Sequence, residues 1–89
     1  MVRAHIYFSG TVQGVGFRYT CRSYSVELGL KGWVKNLSDG RVELLTEGSK
    51  AVITELVQKL KDHFGGYIHG VQEDYLDANG EFIDFKVAF

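Results

Sequence analysis

From Val2 to Ser9 apolar side chains fall on every second residue (Val2, Ala4, Ile6, Phe8) with more polar positions between them. That is the period of a strand with one buried face. After a glycine-rich interval the period changes. Phe17, Cys21, Tyr24 and Leu28 recur at helical spacing, and Gly29 followed by Leu30 predicts a left-handed helix stop with an apolar residue behind it. Two strand-like segments follow, Gly32–Leu37 and Arg41–Glu47, joined through Ser38-Asp39-Gly40, whose Asp-Gly pair suits a tight hairpin. Ser49 is placed to cap a second helix on which Ile53, Leu56, Val57, Leu60 and Phe64 form one apolar stripe, ended by Gly65-Gly66. From Tyr67 to Leu76 the pattern is strand-like but slips near Gly70, which predicts a bulge or bend. Ala78-Asn79-Gly80 then turns the chain into a last strand with Ile83, Phe85, Val87 and Phe89 on one face.

The order strand, helix, strand, strand, helix, strand, strand predicts an α+β fold of the ferredoxin-like, split βαβ type. In it a mostly antiparallel sheet of four to five strands is covered on one face by two helices. Eighty-nine residues, 45% of them hydrophobic, suffice for one domain with one core, so a single domain over residues 1–89 is expected. No proline interrupts any element. Ten basic against eleven acidic residues, net charge -1, leave no electrostatic footprint for a duplex nucleic acid or an anionic membrane. No run approaches the roughly 18 apolar residues of a membrane span. The N-terminal MVRAHIYFSG lacks the apolar core of a signal peptide, and the one cysteine, Cys21, has no internal partner for a disulfide. A reduced, soluble, cytoplasmic monomer is expected, with an intermolecular disulfide through Cys21 left open.

The interval GTVQGVGFR, Gly10 to Arg18, carries the chemistry. Glycines at 10, 14 and 16 remove side chains and allow positive φ, so that successive N–H groups can turn toward one point. The helix starting near Phe17 or Arg18 adds its free N–H groups and the positive end of its dipole, and Arg18 a planar fork able to grip two phosphate oxygens. The segment is neither a nucleotide P-loop, since no Gly-Lys-Ser/Thr follows, nor a dinucleotide fingerprint, since the third glycine is missing. The two readings it allows are a phosphate cradle and a flexible strand-to-helix turn with a surface arginine. Asn36 is the second candidate. Its neutral amide, among good strand formers, is able to hold a water, or else merely to shape the approach to the Asp39-Gly40 turn.

Together GTVQGVGFR and GWVKNLSDGRVELLTEG resemble the two signature segments of the acylphosphatase family. Gly10, Val12, Gln13, Gly14, Val15, Phe17 and Arg18 match the first, and Gly32, Trp33, Asn36, Gly40, Val42 and Gly48 the second. Phe8 departs from the smaller aliphatic residue usual there, and Ser49 and Gly65-Gly66 stand where family members carry prolines. The resemblance implies hydrolysis of the carboxyl-phosphate bond of small acyl phosphates to a carboxylate and inorganic phosphate. By it, Gln13, Gly14, Val15, Gly16, Phe17 and Arg18 bind the substrate, Arg18 and Asn36 are catalytic, and no metal or cofactor takes part. Such chemistry asks little of the protein, because a carboxylate leaving group, with a conjugate acid of pKa about 4, needs no strong general acid.

The other reactive residue types offer less. His5, His63 and His69 fall on different elements without ligand spacing, Cys21 lies on an apolar stripe, and Asp39 reads as a turn former. Arg22, one turn after Arg18, is able to add to the field at the loop's mouth. Two other classes remain open: an RNA-binding module, which this charge balance and the absence of an aromatic-rich RNA-recognition motif disfavour, and a carbamoyl-phosphate-handling segment of a larger maturation protein.

Overall fold

Ala4, Ile6 and Phe8 are fully buried while Arg3, His5 and Tyr7 are not, so the first strand has one core face, as its alternation requires. The computed structural model describes all of residues 1–89. Its elements are β1 (Val2–Gly10), α1 (Phe17–Glu27), β2 (Lys31–Asn36), β3 (Val42–Gly48), α2 (Lys50–Phe64), a short 3-10 turn (Gly65–Tyr67), β4 (Ile68–Asp77) and β5 (Phe85–Ala88). The sheet order is β4-β1-β3-β2-β5; β2 and β5 run parallel and the other three pairings are antiparallel. The fold is α+β and ferredoxin-like, with a mixed five-stranded sheet.

Val34 of β2 and Val42 and Leu44 of β3 join the buried residues of β1 on the face that α1 and α2 cover. From α1 come Phe17, Cys21 and Ser25, and from α2 Ile53, Leu56, Val57, Leu60 and Phe64. Phe17 lies between Phe8 and Phe64, with ring centroids 4.9 and 4.7 Å away, so the first residue of α1 is locked over β1 and against the end of α2. Both helix signals read from the sequence appear: the Leu30 N–H donates to the Ser25 carbonyl past Gly29, and Ser49 Oγ accepts from the Val52 N–H. The irregularity expected near Gly70 is a register shift in which His69 is the additional residue of β4, between the pairs Ser9–Gly70 and Gly10–Ile68.

The last strand departs from expectation. It spans only Phe85–Ala88; Phe85 is buried and Val87 packs on the core, but Ile83 and Phe89 are 83% and 91% exposed. The ladder with β2 begins at Gly32–Phe85 and ends at Lys35–Ala88, so neither residue has a strand beside it. Instead of a tight turn at residues 78–80, the chain crosses from one sheet edge to the other. Glu47 pins that crossing: it accepts from the Asn79 and Gly80 N–H groups and pairs with Arg3 Nε at 2.9 Å.

Candidate active site

Between β1 and α1 the chain runs through residues 11–16 with Gly14 and Gly16 both at φ +78, a conformation that other L residues rarely adopt. Buried Val12 and Phe17 anchor the two ends of this stretch in the core. From Val12 to Tyr19 no main-chain N–H donates to another main-chain carbonyl; the first to do so is Thr20, to Gly16 at 3.1 Å. Gly16 caps α1 without a side-chain acceptor, and the first turn of the helix carries no acidic residue. The loop and helix start therefore hold consecutive donors without main-chain acceptors, at a positive dipole end with no acid in the first helical turn.

Asn36 is the last residue of β2, in phase with Gly32 and Val34, so its side chain faces the helix-covered side where α1 begins. Its Oδ1 is buried and accepts from no protein group. Arg18, half-buried, donates from Nη1 to the Ala88 carbonyl at 3.2 Å, and its guanidinium carbon lies 4.6 Å from the centre of the Phe89 ring. One N–H of five is thus used to orient the fork and four remain. A cavity of about 120 Å³ is lined by Val12, Gly14, Gly16, Phe17, Arg18, Tyr19 and Asn36, a set without carboxylate, imidazole or thiol. A larger hollow of about 540 Å³ lies beside Glu47, Met1 and Phe82, but its one carboxylate is already engaged by Arg3 and two amides.

Of the residues named from the sequence, Gly14, Gly16, Phe17, Arg18 and Asn36 meet in the small cavity, and Gln13 and Val15 do not line it. The side chain of Gln13 is engaged elsewhere: its Nε2 donates to the carbonyls of Leu37 at 2.7 Å and Arg41 at 3.0 Å, which leaves its main-chain N–H, without a main-chain acceptor, as the group it offers a substrate. Sequence reasoning missed Tyr19, which lines the cavity, and the support given to Arg18 by Ala88 and Phe89. Only the period-2 pattern pointed at Phe89, and it assigned the ring to the core.

The remaining reactive groups are engaged elsewhere. Burial pushes the Cys21 thiol up to about 12, which keeps it protonated at neutral pH. Asp39 accepts from the Arg41 N–H at 3.0 Å and from Arg41 Nε at 2.8 Å, bonds that hold its carboxyl below the ordinary range and confirm a turn role. The histidines lie apart: His5 meets Glu43 at 2.6 Å, His63 meets the Tyr24 hydroxyl at 3.2 Å, and His69 is exposed at the β4 irregularity.

Known proteins resemble this chain over most of its length. The acylphosphatase family model matches residues 4–87. An acylphosphatase of Pyrobaculum islandicum is 40% identical over 88 residues, covering 97% of this chain and 93% of that protein. One from Roseiflexus is 51% identical over a shorter stretch of 57 residues, 64% of this chain and 61% of the relative. The crystal structure of an acylphosphatase from Bacillus subtilis superimposes over the full length of both chains with a TM-score of 0.92 at 31% identity. With a family match over nearly its whole length and a relative 40% identical over 97% of it, the chain belongs to the acylphosphatase family.

Proposed function

We propose that this acylphosphatase holds the phosphoryl group of a small acyl phosphate on the loop amides of residues 13–18 and the Arg18 fork, and that Asn36 positions the attacking water. The observation that carries the reading is the convergence of Gly14, Gly16, Arg18 and Asn36 on one small cavity whose neighbouring N–H groups have no main-chain acceptor. The phosphoryl oxygens accept from those N–H groups and from Arg18. A water donates one hydrogen to Asn36 Oδ1, which leaves its lone pair free to attack phosphorus. The bond from phosphorus to the carboxylate oxygen breaks, the carboxylate leaves with the electron pair, and both of the water's protons end on the new phosphate, which is released as dihydrogen phosphate or gives one of them up to solvent. Positioning and charge stabilisation carry the rate, as in phosphoryl transfer generally. The protein acts as one domain over residues 1–89, as a monomer, and the single buried cysteine fits a reducing, cytoplasmic setting.

The test is hydrolysis of acetyl phosphate by the purified chain, with a phosphate monoester of an aliphatic alcohol assayed beside it. Acetyl phosphate should be turned over, the monoester far more slowly, and inorganic phosphate or sulfate should compete. Because the cavity wall offers N–H donors and no carboxylate, imidazole or thiol, activity should survive a strong chelator. Loss of activity on chelation, restored by a divalent ion, would overturn the mechanism, as would failure of both anions to compete.

A further inference from the structure

Gln13 is joined to the far side of the site by both of its amide hydrogens. We infer that it is a positioning residue for the hydrolysis, which sets the distance between the phosphate loop and Asn36. The inference rests on the reading of Asn36 as the water-holding group.

In the order β4-β1-β3-β2-β5, β3 lies between the strand that leads into the loop and the strand that ends at Asn36. No ladder bond joins β1 to β2, so the sheet does not by itself fix the loop against the end of β2. Gln13 spans that gap. Its Nε2 reaches the carbonyl of Leu37, the residue after Asn36, at 2.7 Å and the carbonyl of Arg41, at the other foot of the hairpin turn, at 3.0 Å. A primary amide has two N–H groups, and both are used.

The same contacts separate a positioning role from a structural one. The Arg41 carbonyl already accepts from the Leu37 N–H at 2.8 Å, and the Leu37 carbonyl from the Gly40 N–H at 3.2 Å. The hairpin turn is therefore closed by its own main chain, and removal of the Gln13 donors leaves neither carbonyl without a partner. What is lost is the link from turn to loop. Since small misplacements of reacting groups are felt strongly in rate, that link governs how often water and phosphoryl group are in register.

The experiment compares Gln13→Met, of similar length but without donors, with Asn36→Ala and with the double variant, on acetyl phosphate. Gln13→Met should lower kcat on the order of 10- to 100-fold, while the inhibition constant of inorganic phosphate changes less than about threefold. In the Asn36→Ala background the same substitution should lower kcat by no more than about twofold further, because the group it positions is gone. Gln13→Lys, whose ammonium can donate to both carbonyls, should recover part of the loss. Unchanged kcat in Gln13→Met, equal losses in kcat and phosphate affinity, or a full multiplicative loss in the double variant would overturn the inference while leaving the proposed reaction standing. Full kcat in Asn36→Ala overturns the water-holding reading and this inference with it. If Gln13→Met does not fold, Gln13→Leu, also neutral and without donors, carries the same comparison; if neither folds, Gln13 is structural and the positioning role is overturned.

Discussion

Truncating Asn36 to alanine should separate activity from stability. Oδ1 of Asn36 is buried and no protein group donates to it, so Asn36→Ala breaks no internal hydrogen bond at that atom. A buried acceptor left wholly unpaired costs on the order of 1–3 kcal/mol, and less with a water in place. Against this, the shorter side chain loses roughly 1 kcal/mol of packing, taken as about one buried methylene equivalent. The net effect runs from about 1 kcal/mol against the variant, with a water on Oδ1, to about 2 kcal/mol in its favour, and each kcal/mol moves the melting midpoint of a domain this size by about 4–8 °C. The reaction, by contrast, loses a positioned hydrogen-bonding group, and kcat should fall on the order of 100- to 1000-fold, about 2.7–4 kcal/mol. Phosphate affinity should hold, since the loop amides and Arg18 are untouched. Steady-state hydrolysis of acetyl phosphate, inhibition by inorganic phosphate and a thermal melt followed by circular dichroism read the three quantities on one preparation. A melting midpoint lowered by more than about 8 °C would show that Asn36 is structural. Retained kcat, or phosphate affinity lost in step with kcat, would refute the water-positioning role.

Arg18→Lys keeps a charge but loses the planar fork and the bond to the Ala88 carbonyl, so kcat/KM should fall roughly 100-fold and phosphate should inhibit less strongly; near-normal kinetics would mean that charge alone suffices. Phe89→Ala removes the ring lying 4.6 Å from the Arg18 guanidinium. An exposed cation–π contact of about 0.5–1 kcal/mol predicts a loss of roughly two- to fivefold in kcat/KM with an unchanged melting midpoint; a fall in the midpoint with no kinetic effect would assign the ring to packing. Desolvation by burial would raise the Glu47 carboxyl, but the N–H groups of Asn79 and Gly80 and the Arg3 guanidinium outweigh it and hold the pKa below the ordinary 4.5. A carboxyl with a lowered folded-state pKa contributes stability that is present above the unfolded value and lost as pH falls through the folded one. Glu47→Gln should therefore melt lower than the parent at neutral pH, with the difference shrinking below about pH 4.5; a difference that persists unchanged into acid would assign the effect to packing and not to charge.

The parts of the site that could be read from the sequence are those in which one contiguous stretch supplies the physics. Gly14, Gly16 and Arg18 sit within five residues, and their types alone specify a backbone free to turn and a fork that binds oxyanions. Asn36 stood out because an amide interrupted a run of strand formers. The parts that could not be read depend on which strands become neighbours. Alternation assigns Phe89 to the core side of the sheet, but parity says nothing of where the β2–β5 ladder stops, and it stops one residue earlier, at Ala88. Ile83 fails for a related reason: its segment is a crossing held by Glu47, a carboxylate that strand periodicity counts only as a polar position. A sequence also names donors without saying which are already taken. Gln13 and Arg18 both carry side-chain donors beside the loop, yet β3 lies between β1 and β2, and the gap it leaves consumes both side-chain amide hydrogens of Gln13. Arg18 gives up one N–H to β5 and keeps four. The same loop thus contains a residue whose side chain is turned inward to hold the site together and one whose side chain remains free for an anion, and only the topology of the sheet tells them apart.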